Sequence, residues 1–227
     1  MFNKILWICP SRNRPEKLQT MIDSWKQQTE GLSDLLIAID SDDRSNDSLI
    51  VQNEHPNLLW EVGDPIGHKF LQLLNKYALK YIDQYKYIGF MEDDCIFKTP
   101  YESRFIEKFE ELGPLSLVHG NDLVNCPTLV SLPVISSEVI KRLGFFAPPE
   151  INCLWADYFW RSMRDYGVRE HYFPDIIIQH VHYSRVDNIR DETAINMELV
   201  AQSDYLGYQN YKNSGKLAKD MERLNAK

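Results

Sequence analysis

The stretch KYIGFMEDDCIFKTP, residues 86–100, sets three consecutive acids, Glu92, Asp93 and Asp94, into what otherwise reads as a buried strand. Residues 87–91 form an apolar run of strand length, and Ile96 and Phe97 resume the apolar character after the acids. Isolated carboxylates beside such a core are costly unless something neutralises them, and a bound divalent cation would do so. The plainer reading is a solvated acidic turn at a strand end. The flanking sequence has to decide between them.

Upstream, KILWIC at 4–9 is a short apolar run ended by Pro10, and SRNRP at 11–15 is a loop. In 16–28 the apolar residues Leu18, Met21, Ile22 and Trp25 recur at spacings of three and four, which predicts one face of an amphipathic helix. The pattern then repeats. DLLIAI at 34–39 supplies a second strand that ends abruptly in Asp40, Ser41, Asp42 and Asp43. A third strand is expected at 58–62, followed by the loop GDPIGHK and a helix over 69–82. Strands alternating with helices imply a mainly parallel sheet covered on both faces, with ligands beyond the carboxyl ends of its strands. The acidic triplet is then one of several polar strand ends on a single edge.

Downstream the pattern is less regular. A helix is expected over 103–112, a strand over 115–119, and an apolar strand broken by Pro127 and Pro133 over 125–135. Ser136 reads as the N-cap of a short helix that stops near Gly144. A further helix over 154–166 carries Trp155, Asp157, Phe159 and Trp160, and Asp157 in its first turn either complements the helix dipole or serves chemistry. A last strand over 173–182 would put His180 and His182 on one side. The polar remainder from Ser184 ends in a helical tail.

Composition narrows the function classes. The 227 residues, 44% hydrophobic and 12% aromatic, suffice for one ordinary domain plus an extension. No apolar run is long enough to span a bilayer and the N-terminal apolar segment is too short for a secretory signal, so a cytoplasmic location is the default. Four scattered cysteines without metal-ligand spacing suit free thiols. A net charge of -8 argues against broad affinity for nucleic acid.

The order of these features resembles that of the nucleotide-sugar-dependent glycosyltransferases of the GT-A fold, family 2 especially, over roughly residues 4–183. The resemblance rests on Pro10-Ser11-Arg12-Asn13 after the first strand, AIDSDDRSND at 38–47 after the second, and FMEDDCIF in the place of the metal-binding DxD motif. It extends to Trp155-Ala156-Asp157 at a helix start and to His180 and His182 after the last core strand. Two departures stand out: Glu92 occupies the first DxD position, and Ala156 precedes the helix acid where the family carries glutamate.

The resemblance implies an α/β, Rossmann-like fold with a mixed, mainly parallel central sheet flanked by helices. It implies a transferase domain over 1–183, with 1–100 the nucleotide-sugar half and 101–183 the acceptor half, and a C-terminal helical extension over 184–227. Mn2+ or Mg2+ would be held by Asp94, with His180 or His182 supplying an imidazole. Glu92 and Asp93 would contact ribose or donor sugar, and Asp40 the base or ribose, while Asp42 would either join it or fix the loop. Pro10, Arg12, Arg14 and Lys69 would complete the nucleotide-sugar site. Asp157 would be the general base of a single inverting displacement. The implied donor is a nucleotide sugar, a UDP-sugar favoured, and the acceptor a glycan, small molecule, protein or modified DNA base. The tail would fold over the acceptor side or make a homodimer contact. A metal-dependent nucleotidyltransferase or phosphohydrolase and a non-catalytic carbohydrate-binding protein are the competing classes. The absence of a glycine-rich phosphate loop weighs against the first.

Overall fold

The computed structural model describes residues 2–65, 67, 69–181 and 192–225. In its first strand, β1 (Phe2–Ser11), alternate side chains take opposite faces: Ile5, Trp7 and Cys9 enter one buried cluster, Leu6 and Ile8 the other. β2 (Ser33–Asp40) divides in the same way, Leu35, Ile37 and Ile39 against Leu36 and Ala38. Both faces are covered, which is why these strands read as unbroken apolar runs. One face packs on α1 (Pro15–Gln28) and α4 (Glu102–Leu112), the other on α3 (Phe70–Tyr81) and α5 (Ser137–Leu143).

The remaining strands are β3 (Leu58–Gly63), β4 (Tyr85–Phe90), β5 (Cys95–Phe97), β6 (Ser116–Asn121), β7 (Val134–Ser136) and β8 (Arg169–His180). The sheet order is β3-β2-β1-β4-β7-β6-β8-β5. β3, β2, β1 and β4 are mutually parallel, and so are β6 and β8; β7 is antiparallel to both its neighbours, and β5 pairs antiparallel with β8. This is the mixed α/β sheet that the sequence implies. Because β1, β2 and β4 run in parallel, Ser11, Asp40 and the acids after Phe90 emerge at one edge. Trp7 lies opposite Gly89, where a Cβ would come within 2.4 Å of the indole, so β1 and β4 meet closely only because residue 89 is glycine.

Several elements depart from expectation. The acidic loop after β2 folds into a single 3-10 turn (Arg44–Asn46) and a short helix, α2 (Asp47–Gln52), started by the Asp43 carboxylate, which accepts from the Ser45 amide at 3.0 Å. The strand expected over 125–135 shrinks to β7, because the preceding residues turn around Asp122, whose carboxylate accepts the amides of Val124, Asn125 and Cys126. β8 starts at Arg169, ahead of the expected 173, since pairing with β6 holds its first half, and a register shift between His119 and Asn121 absorbs Pro174. Ser136 does sit at the N-cap of α5, but its hydroxyl donates to the Pro114 carbonyl instead of capping. The helix expected over 154–166 is α6 (Ala156–Ser162) followed by a 3-10 turn (Met163–Tyr166).

The chain's last helices, α7 (Glu192–Asn213) and α8 (Lys216–Glu222), contribute Tyr208, Tyr211, Leu217 and Met221 to the same buried cluster as α3, α5 and α6. No helix among the described residues is long and apolar enough to cross a membrane.

Glu102, 0% exposed, ties α4 to the α1–β2 connection. Its carboxylate accepts from Thr29 Oγ1 at 2.7 Å, from the amides of Glu30 at 2.9 Å and Leu32 at 2.7 Å, and from Ser33 Oγ. Glu102→Ala leaves these buried donors unpaired and is expected to cost about 3 kcal/mol. Urea unfolding followed by tryptophan fluorescence should show a lower midpoint at unchanged slope. An unmoved midpoint would contradict this role.

Candidate active site

The site lies along the strand-end edge. After β1 the chain turns through Asn13, at φ 57°, and presents Arg12 and Arg14 in different directions. Arg12 Nη1 donates to Asp40 Oδ2 at 2.8 Å, while its fork holds Asp42 through contacts of 2.6 and 3.0 Å. Asp40 is buried and also accepts from the Gly67 amide at 3.1 Å. Asp42 is exposed, and its hydrogen bond with Arg12 holds its carboxyl below the usual range. The loop-fixing part falls to Asp43, which accepts from the Asn13 amide at 3.0 Å and from Asn46 Nδ2 at 2.8 Å.

The acidic triplet splits within a turn that the Cys95 amide closes by donating to the Glu92 carbonyl at 3.2 Å. Asp93 turns toward β1, where Ser11 Oγ donates to it at 2.7 Å and Arg14 Nη1 at 3.0 Å. Burial lifts the Asp93 carboxyl to about 6 against the lowering by Arg14. Glu92 and Asp94 turn toward β8, although Asp94 Oδ2 also lies 3.5 Å from Arg14 Nη1. Glu92 Oε2 lies 3.2 Å and Asp94 Oδ1 3.3 Å from His180 Nε2. The sheet fixes this meeting, because Cys95 pairs with His180 and the Val181 amide donates to the Asp94 carbonyl at 2.9 Å. Burial disfavours the imidazolium, yet the two carboxylates overcome it and raise His180 to about 11. Burial opposes ionisation of Asp94 too, but His180 holds its carboxyl below the ordinary value.

Glu92, Asp94 and His180 offer two carboxylate oxygens and an imidazole nitrogen within 4.8 Å of one another, the set among the described residues that could hold a metal ion. The buried Asp94 Oδ1 makes no hydrogen bond of good geometry. Hard oxygen donors with one nitrogen suit Mn2+, and Mg2+ less well, so the residues present fit a divalent cation. The resemblance implies ribose or donor-sugar contact for Glu92; the turn at 92–95 sets its carboxylate beside His180 and Asp94, with Asp93 directed toward Ser11.

Two clefts flank the cluster. One, of about 610 Å³, is lined by Pro10, Arg12, Arg14, Asp40, Gly67 and Asp93 among others. The second, of about 640 Å³, is lined by Asp157, His180, Asn125, Ser131, Trp155 and Trp160 among others. Glu92, Phe70, Phe90, Cys153 and Met197 line both, so the two form one trough with Glu92 at the junction. Asp157 follows a kink at Trp155, at φ 74°, and accepts from the Tyr158 amide at 3.0 Å. Burial, with the nearby charges of Glu92 and Asp122, raises its carboxyl to about 6. Lys69 is exposed at the start of α3 and lines neither cleft, nor does Asp42. His182 lies outside the described residues. Asn125, Ser131 and Met197 carry no motif, and only the folded chain brings them to the trough.

No protein-family model matches the sequence, and a search of curated proteins found no relative. Solved structures do match. Residues 1–349 of TarS from S. aureus, in complex with UDP, are similar at 11% identity and TM-score 0.58, the match covering 77% of this chain and 59% of that one. The mannosyltransferase PcManGT from Pyrobaculum calidifontis, in complex with GDP-Man and Mn2+, is similar at 12% identity and TM-score 0.54, over 95% of this chain and 77% of that one. GalNAc-T7 with UDP, GalNAc and Mn2+ gives 11% identity and TM-score 0.67, over 96% of this chain and 54% of that one. The chain thus spans little more than half of the TarS and GalNAc-T7 structures. At such identities the likeness is one of fold, and the fold is GT-A.

Proposed function

We propose that this protein is a metal-dependent glycosyltransferase that moves a hexose or pentose from a nucleotide-sugar donor, a UDP-sugar for preference, to a hydroxyl acceptor with inversion. The observation that carries the reading is the Glu92–Asp94–His180 cluster, whose Glu92 stands at the junction of two clefts, one lined by Asp40 and Arg12, the other by His180 and a carboxylate of raised pKa. The likeness to structures holding UDP, GDP-Man and Mn2+ supports it.

In this reading Glu92, Asp94 and His180 hold Mn2+ or Mg2+, which when bound offsets the charge that develops on the departing diphosphate. Asp40, held at 2.8 Å by Arg12 Nη1, accepts from the base or ribose. Arg12 and Arg14 contribute cationic forks on the first cleft. Asp157 takes the acceptor's proton on its carboxylate as that oxygen forms a bond to the anomeric carbon and the bond to the diphosphate breaks. Attack from the Asp157 side, opposite the leaving group, inverts the carbon.

Isothermal titration with UDP-, GDP- and CMP-sugars, with and without Mn2+, tests this. Binding of one nucleotide class that strengthens at least tenfold with Mn2+ is expected. Binding of none, or binding indifferent to metal, would count against the transferase. Release of sugar 1-phosphate in place of nucleoside diphosphate would identify a phosphohydrolase.

A further inference from the structure

We propose that Trp155, Tyr158 and Tyr205 form a ledge that receives an uncharged carbohydrate as acceptor, with α7 a built wall of the active site. The acceptor part rests on the transferase reading above.

α7 is fastened to the segment that carries Asp157. Asp204, 1% exposed, accepts from the amides of Asn152 at 3.1 Å, Cys153 at 2.7 Å and Leu154 at 3.0 Å, and from Asn152 Nδ2 at 3.2 Å. A Cβ at Gly207 would lie 2.6 Å from the Glu150 carbonyl, so the helix sits as close to that segment as glycine permits. Trp155 Nε1 donates to the Ala201 carbonyl at 3.3 Å. With Met197 lining both clefts, the helix contributes to the trough itself.

This docking assembles a run of rings. Trp155 lies 5.2 Å from Tyr158 and 4.9 Å from Tyr205, centroid to centroid, with tilts of 32° and 55°. Trp155 lines the cleft together with Asp157, while Tyr158 and Tyr205 are 43% and 37% exposed. A partly exposed aromatic surface therefore continues from Trp155, which shares the cleft with Asp157, to Tyr158 and Tyr205. The polarised C–H groups of a sugar ring pack on such faces, and so would nucleobases. Charge separates the two. Residues 192–211 of α7 contain Glu192, Glu198 and Asp204 and neither lysine nor arginine, and Arg161 on α6 is engaged with Glu170. A polyanion gains its affinity from cationic contacts to phosphate, which the described residues of this ledge do not offer. A neutral glycan meets no such penalty.

The test uses neutral p-nitrophenyl glycosides and a single-stranded DNA oligonucleotide as probes, read by saturation-transfer NMR and by fluorescence titration on the whole chain. At least one glycoside should bind, Tyr158→Ala and Tyr205→Ala should each weaken it about fivefold to tenfold, and the phenylalanine variants should retain it. Glycoside binding unmoved by both alanine variants, or salt-dependent binding of the oligonucleotide with no glycoside bound, would overturn the proposal. Circular dichroism and donor titration of the same variants show whether they are folded. Donor titration of the unaltered protein reads the other cleft separately. If the donor binds and no glycoside does, the ledge proposal falls and the transferase reading stands. If the donor fails while glycosides bind through the two tyrosines, the transferase reading falls and the ledge remains a carbohydrate site.

Discussion

Asp94→Ala is expected to abolish metal-dependent nucleotide-sugar binding and to lower turnover by on the order of a thousandfold or more. The number of donors left decides the effect. Glu92, Asp94 and His180 meet within 4.8 Å, and removing Asp94 leaves one carboxylate beside an imidazole. Glu92, 3.2 Å from His180 Nε2, then pairs with the protonated ring, and metal entry must break that pair. The loss should exceed the roughly tenfold to hundredfold that follows when a group supporting a ligand is removed. Asp93→Asn is the informative contrast, because Asp93 faces Ser11 and Arg14 and reaches the cluster only through Arg14, which also lies 3.5 Å from Asp94. It should spare most of the metal affinity while loosening the loop after β1. Manganese EPR titration separates the two variants. Equal Mn2+ affinity for Asp94→Ala and the unaltered protein would remove Asp94 from the site.

That the triplet matters was legible in the sequence, because three acids at the end of an apolar strand are hard to explain as packing. Which of them act together was less so. Glu92 and Asp94 come together because the chain turns over 92–95 after β4, and their common partner, His180, is brought across by the pairing of β5 with β8. No local pattern encodes that pairing between residues so far apart in the chain. The alternation of Ile5, Trp7 and Cys9 against Leu6 and Ile8 did announce a doubly covered sheet, since period two is a property of the strand itself. Asp204 shows the opposite case. Nothing in AQSDYLGYQN marks its aspartate as buried, and its role exists only once the amides of 152–154 are presented to it. The 125–135 stretch misled because its apolar residues suit a strand, whereas Asp122 collects the amides that a strand would have paired.

Asp157→Asn should lower transfer by about a hundredfold to ten-thousandfold while leaving donor affinity nearly intact, since the carboxylate faces the cleft away from Asp40 and Arg12. A base must be ionised to accept a proton, so with its carboxyl raised to about 6 the rate should climb through that pH and level above it, and the rise should vanish in the variant. Stability carries the opposite sign. Unfolded, Asp157 ionises near the usual carboxylate value of about 3.9, so below that pH it is neutral in both states and the substitution changes little. From about 3.9 upward the unfolded chain ionises while the folded one keeps its proton, so stability is lost until the buried carboxyl ionises as well, at about 6. Asparagine stays neutral, so above about pH 7 the variant should be the more stable by about 1–2 kcal/mol, less than the full shift implies because the side chain retains some solvent. Melting curves at acid and alkaline pH check this directly. A variant that loses transfer and whose stability gain opens between about pH 4 and about 6 and is constant above identifies Asp157 as a group held in strain for chemistry. One that keeps turnover, or melts lower at every pH, leaves the acid at the start of α6 with a structural role alone.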